Sequence, residues 1–155
     1  MTTRPHPDAF AQPLRGGAAG REGELAVRVA VRIQEDILAA RHAARDAARL
    51  VGLGTVDETR LATAVSELAR NALRYAGAGE CRILARTNAL AVTVAVEVED
   101  HGPGIDDVAA ALTPGFSTGG GLGLGLPAVQ RLMDEISFDT RPGGTLVRAS
   151  MVRRP

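Results

Sequence analysis

Between Glu24 and Ile33 the chain alternates strictly: Leu25, Val27, Val29, Val31 and Ile33 are separated by Ala26, Arg28, Ala30 and Arg32. A period of two with β-branched residues on one side predicts a half-buried strand. The period then lengthens. From Asp36 to Val51, the residues Ile37, Leu38, Ala44, Ala48 and Val51 recur at helical spacing in an Ala- and Arg-rich segment closed by Gly52 and Gly54. This predicts an amphipathic helix with a glycine stop. Thr55 followed three residues later by Glu58 predicts a helix cap, and Leu61, Val65, Leu68, Ala72 and Leu73 carry a second helix to about Tyr75, ahead of Gly77 and Gly79.

Cys81–Thr87 and Leu90–Val98 are apolar or alternating runs that predict a hairpin turning at Asn88 and Ala89. After Asp100 come Gly102, Pro103 and Gly104, a short helical stretch from Asp106 to Leu112, and a glycine-dense loop from Pro114 to Gly125. A helix is predicted from Leu126 to Ile136, with Pro127 in its first turn. Two closing strands, Ser137–Asp139 and Thr145–Val152, flank Arg141-Pro-Gly-Gly144. The order of strand, helix, helix, two strands, loop, helix and two strands predicts helices packed on one face of a mixed sheet. Residues 1–23 hold Pro5, Pro7, Pro13, Gly16, Gly17 and Gly20 without an apolar period, so a flexible tail is expected before a domain covering residues 24–155.

Composition narrows the function. A length of 155 residues with 45% hydrophobic content suits one domain with a proper core. Eighteen basic and eighteen acidic residues cancel, which removes the broad field that favours nucleic acid or an anionic membrane. Aromatic residues make up 3% of the chain, too few for the stacking platforms of single-strand binders. A lone cysteine, Cys81, can form neither an internal disulfide nor a zinc site, so a cytoplasmic location is expected. No signal peptide or membrane-spanning run is legible. Every basic residue other than histidine is arginine. The absence of lysine excludes P-loop NTPases, eukaryotic-type protein kinases and Schiff-base enzymes.

Three local patterns could carry chemistry. In Glu67-Leu-Ala-Arg-Asn71, the Glu and Asn are four apart and share one helix face, so a carboxylate and an amide oxygen project side by side. One can take a proton while the other holds a hard cation such as Mg2+. On its own, such a pair is also commonplace on a solvated helix. In Asp100-His-Gly-Pro-Gly-Ile105, a strand ends in an acid followed by two glycines, where a carboxylate can accept from a ring amine and bare backbone admits a flat ligand. The third pattern, Gly115 to Pro127, interleaves glycines with Leu122, Leu124 and Leu126 and runs into a helix, a backbone anion site that needs no lysine. A G-x-G-x-x-A match at Gly123, Gly125 and Ala128 has no strand before it, so a dinucleotide fold is rejected.

In this order, the E-x-x-x-N helix, the D-x-G-x-G turn and the G-x-G-x-G loop resemble the N, G1 and G2 boxes of the GHKL ATPases, over most of residues 25–152. Within that superfamily, Val65–Asn71, Asp100–Ile105, Gly115–Thr118 and Leu132–Glu135 resemble the RsbT-type switch serine/threonine kinases of bacterial stress signalling. The resemblance implies the Bergerat, histidine-kinase-like ATPase fold: an α+β two-layer sandwich with a mixed, largely antiparallel sheet and helices on one face. It also implies ATP and Mg2+ as cofactors. Asp100 would accept from the adenine amine, with Gly102, Gly104 and Ile105 lining the base and Thr145 near the pocket. Asn71 would complete the Mg2+ shell. Gly119, Gly120, Gly121, Leu122, Gly123, Leu124 and Gly125 would form a lid around the phosphates, and Glu67 would be the general base.

Where such kinases often carry lysine this chain has Gln130, so a phosphate contact from that side falls to Arg131, Arg74 or backbone. His42 reads as a surface residue, His101 as a turn filler and Cys81 as a small buried hydrophobe. Arg41, Arg45 and Arg49 form a stripe that is either solvated or partner-facing. By resemblance the substrate would be a STAS-domain antagonist protein, whose phosphorylation would free the kinase to act on a downstream phosphatase or other effector. The alternative is an anti-sigma factor that sequesters a sigma subunit and phosphorylates its antagonist.

Overall fold

The computed structural model describes residues 23–113 and 125–154. The elements run β1 (Gly23–Val31), α1 (Gln34–Leu50), α2 (Thr55–Ala76), β2 (Gly79–Thr87), β3 (Val92–Asp100), α3 (Val108–Ala111), α4 (Gly125–Leu132), β4 (Glu135–Arg141) and β5 (Gly144–Arg153). Among the described residues, the strands form one sheet in the order β1-β2-β3-β5-β4, and every pairing is antiparallel.

Alternation decides which side of the sheet the helices cover. The register aligns Val29, Cys81, Val98, Val147 and Phe138 in one row across all five strands. These positions, with Val31, Ile83, Val94, Val96, Ala149 and Met151, build the core against α1 and α2. The helices answer with small side chains: Ala40, Ala44, Ala47 and Ala48 from α1, and Ala64, Ala69 and Ala72 from α2, beside Leu61, Val65 and Leu68. An alanine stripe lets helix axes approach closely, which is how a core with so few aromatic residues fills its volume.

The opposite face carries charge. Arg28, Arg82, Glu97 and Arg148 stand in register across β1, β2, β3 and β5. Glu97 pairs with Arg148 at 2.9 Å and Arg82 at 3.6 Å, while Arg82 reaches Glu99 at 2.8 Å. Glu97 is buried, so the cost of desolvating its charge offsets much of the attraction in these pairs, whereas each Val or Leu side chain fully buried contributes roughly 1.5–3 kcal/mol. The helix-side rows therefore dominate the stability of the sheet.

Four expectations change in detail. The first strand stops at Val31 rather than Ile33, because the Asp36 carboxylate accepts the N–H groups of Arg32 and Ile33 and turns the chain into α1. Thr55 and Glu58 do not form a cap: Gly54 occupies the cap position and Glu58 turns instead towards Arg45 and Arg49 of α1. The hairpin strand predicted over Leu90–Val98 sits two residues later, since Asn88 Oδ1 accepts from both Leu90 and Ala91 and lengthens the turn. The helix predicted to reach Ile136 ends at Leu132. Asp134 donates its N–H to Ser150 O and accepts from Val152 N, which starts β4 at Glu135. The segment expected to be a tail, except for Gly23, lies outside the described residues.

Candidate functional site

The helix-side face of the sheet changes character at one end. The row in which Val31, Gly79, Asp100, Thr145 and Thr140 align crosses all five strands. Rows further in hold valine and cysteine, but this one turns polar where α2 ends. Gly77 stops the helix in a left-handed conformation, and Gly79 packs so tightly that a Cβ there would lie 2.8 Å from Ala72 Cβ. The end of α2 thus meets the polar end of the sheet.

Asp100 closes β3, and its Oδ1 accepts the Gly102 N–H at 2.9 Å, which bends the chain into the glycine turn. From sequence, the bare glycines are expected to admit a flat ligand. In the structure, protein fills the space beside them: a Cβ on Gly102 would lie 2.6 Å from Ala76 Cβ, and one on Gly104 would run into the Arg141 carbonyl. Gly104 also has φ +84°, a left-handed conformation that side chains strain to adopt. Both glycines are needed to seat the turn between α2 and the β4–β5 hairpin. Asp100 Oδ1 is committed to this turn, and no described residue bonds its other carboxylate oxygen.

Thr145 lies opposite Asp100 and is 5% exposed. Its hydroxyl meets that of Thr140 at 2.8 Å, and Thr140 Oγ1 accepts the Ile105 N–H at 2.8 Å. Thr145 and Ile105 are both expected at the site from sequence, and Thr140, which is not, joins them. The signal was available: Pro142-Gly143 forms a two-residue turn, so Thr140 and Thr145 must face each other across the hairpin.

Glu67 and Asn71 share one face of α2, as their spacing requires, and converge on the first residue of α4. A Cβ on Gly125 would lie 3.2 Å from Glu67 Oε2 and from both amide atoms of Asn71. Glu67 Oε1 is held by Arg70 Nη1 at 2.6 Å, leaving Oε2 as the oxygen that faces Gly125. The described residues give the Asn71 side-chain amide no hydrogen-bond partner. A partly exposed carboxylate beside an open amide can accept a proton and offer an oxygen to a cation. Among the described residues, no three His, Cys, Asp or Glu side chains converge on a metal position.

The lid residues Gly119, Gly120, Gly121, Leu122, Gly123 and Leu124 lie outside the described residues, whereas Gly125 opens α4. Pro127 sits buried in the first turn of α4, as expected. Arg131 is exposed, and the Arg74 guanidinium lies 5.6 Å from the Tyr75 ring centre. His42 and His101 are exposed and Cys81 is fully buried, with burial pushing its thiol pKa up to about 12. Of the arginine stripe of α1, Arg41 and Arg49 are exposed, and Arg45 and Arg49 pair with Glu58 at 3.2 and 2.8 Å. No described helix is long and apolar enough to cross a membrane.

The chain is similar to several known proteins. Residues 31–151 match the model of the histidine kinase-like ATPase domain. The chain is 46% identical over 122 residues to the serine/threonine-protein kinase RsbT of Bacillus subtilis, an alignment spanning 78% of this chain and 92% of that protein. It is 37% identical over 100 residues to the anti-sigma F factor of Caldanaerobacter subterraneus, covering 61% and 70% of the two chains. In three dimensions, the RsbU and RsbW domains of a Mycobacterium tuberculosis protein superpose with a TM-score of 0.57 at 20% identity, over 85% of this chain and 33% of that one.

Proposed function

We propose a switch-kinase role for this chain, which belongs to the histidine kinase-like ATPase family and shares 46% identity with a serine/threonine kinase across nearly the whole of that relative. It is a protein serine/threonine kinase that uses ATP. The observation that carries the reading is the convergence of Glu67 Oε2 and the Asn71 amide at the start of α4.

The residues present suit a purine nucleotide. Asp100 keeps one carboxylate oxygen for an exocyclic amine after the other has fixed the glycine turn. Thr145 offers a hydroxyl beside it. Asn71 supplies one oxygen to Mg2+, which favours oxygen ligands and fills its shell from water and phosphates when the protein provides few. Bound Mg2+·ATP supplies the electrophilic phosphorus and neutralises charge at the phosphates. Glu67 Oε2 takes the proton of the incoming serine or threonine hydroxyl, and Arg70 holds the other oxygen so that Oε2 stays turned inward. The glycine-rich sequence of residues 119–125, which holds no lysine, would offer its backbone N–H groups to the phosphates.

The protein substrate in this reading is a STAS-domain antagonist, and phosphorylation frees the kinase for a downstream phosphatase or other effector. Likeness to an anti-sigma F factor supports a second reading, in which the same fold holds a sigma subunit. The test is incubation with Mg2+ and γ-labelled ATP together with candidate STAS-domain and sigma proteins, followed by mapping of the label. Labelled serine or threonine on a STAS-domain protein is expected. A stable complex with a sigma subunit would favour the second reading, and an unlabelled STAS-domain set would count against the first.

A further inference from the structure

We infer that Thr140, which touches no ligand in this reading, sets the hydrogen-bond polarity of the base pocket and so helps to select adenine over guanine. The inference rests on the nucleotide site proposed above and adds a residue to it.

Three groups form a line from backbone to pocket. The Ile105 N–H donates to Thr140 Oγ1 at 2.8 Å, and Thr140 Oγ1 lies 2.8 Å from Thr145 Oγ1. Thr145 stands opposite Asp100 in the sheet register. The distance alone leaves open which hydroxyl donates to the other. The Ile105 N–H favours one direction. A hydroxyl has one hydrogen and two acceptor positions, and an oxygen that has accepted an N–H becomes a better donor, since hydrogen bonds in a chain polarise one another. In the arrangement this favours, Thr140 donates to Thr145, and the Thr145 hydrogen is left to point onward as a donor.

That polarity matters for the base. Adenine presents an acceptor at ring N1 next to a donor amine at N6, whereas guanine presents a donor N1–H next to an acceptor O6. A pocket that offers a carboxylate acceptor at Asp100 and a hydroxyl donor at Thr145, directly or through a water, matches adenine at both positions and opposes guanine at both. Reversing the Thr140–Thr145 bond would turn Thr145 into an acceptor and remove half of this discrimination.

The geometry also fixes where Thr140 can sit. Gly104 packs against Arg141 and would bring a Cβ to 3.2 Å from Thr140 Oγ1, so the turn carrying Ile105 is pressed against the hydroxyl it serves. The role belongs to the hydroxyl rather than to bulk. Serine keeps it, and valine keeps the shape while losing the group.

The experiment measures affinities of wild type, Thr140→Val and Thr140→Ser for Mg2+·ADP and Mg2+·GDP by calorimetry, with melting temperatures alongside. Losing one well-placed donor in a buried site should lower the ADP-over-GDP ratio of Thr140→Val on the order of tenfold. Thr140→Ser should stay near the wild-type ratio. An unchanged ratio in Thr140→Val, or a ratio that Thr140→Ser fails to preserve, would overturn the relay while leaving the nucleotide site standing. If the wild-type chain bound neither nucleotide, the proposed function would fall and the relay with it. A fall in melting temperature with an intact ratio would assign Thr140 to folding alone, which also overturns the inference.

Discussion

The two ends of α2 use acidic residues in opposite ways. Near its start, Asp57 receives Arg153 through two nitrogens at 2.8 and 2.9 Å, and Glu58 receives Arg45 and Arg49. Hydrogen bonds from Arg153 and Arg49 hold these two carboxyls below their usual range. Arg153 also grips Asp134, so one guanidinium ties the start of α2 to the α4–β4 turn. Two turns from the other end, Glu67 has one oxygen bound by Arg70 and one aimed at Gly125, beside an amide that no described residue engages. Charge that supports structure is saturated by protein partners. Charge that can do chemistry keeps an oxygen in reserve.

If this contrast is right, substitutions along one helix should separate catalysis from stability. The largest effect belongs to Glu67→Gln, which should lower phosphotransfer by about 10²–10⁴-fold, the usual worth of a positioned general base, as read by label transfer to the substrate protein. Asn71→Ala comes next. It removes a protein oxygen from Mg2+, so nucleotide affinity should fall about tenfold or more in the presence of Mg2+ and change little in its absence, as titration calorimetry would show.

Acid sensitivity comes third and belongs to the opposite end. The folded-state pKa values of Asp57 and Glu58 lie below the unfolded ones, so their contribution is present above the ordinary carboxylate range and lost as pH falls from that range down through the lowered folded-state values. Thermal melting should therefore drop as pH falls below the ordinary carboxylate range, more steeply in wild type than in Glu58→Gln. A flat profile would show that the clasp adds nothing. The smallest effect is a null one: with its thiol pKa pushed up to about 12 by burial, Cys81 should resist thiol reagents in the folded protein and react once the chain is unfolded.

The layer arrangement and the N-box pair were legible because both are periodic. Alternation placed Leu25, Val27 and Val29 on one face, and an i, i+4 spacing puts Glu67 beside Asn71 in any helix. What escaped depended on partners distant in sequence. Glu58 looked like a cap because nothing local reveals that Arg45 and Arg49 lie across the α1–α2 contact. The sequence gives no sign that Gly102 and Gly104 are packed by Ala76 and Arg141, since these come into contact with them only in the folded chain. Thr140 was passed over although the Pro-Gly turn set its register, because its neighbour Ile105 arrives from thirty-five residues away.

The most direct test of the account compares the two glutamates of α2 in the same assay. Wild type, Glu67→Gln and Glu58→Gln are each saturated with Mg2+·ATP and followed for label transfer to the substrate protein, with nucleotide affinity and melting temperature measured on the same samples. The account predicts that Glu67→Gln stays folded and loaded but transfers almost nothing, while Glu58→Gln melts earlier and still transfers. A folded, nucleotide-loaded Glu67→Gln that phosphorylates at the wild-type rate would contradict it.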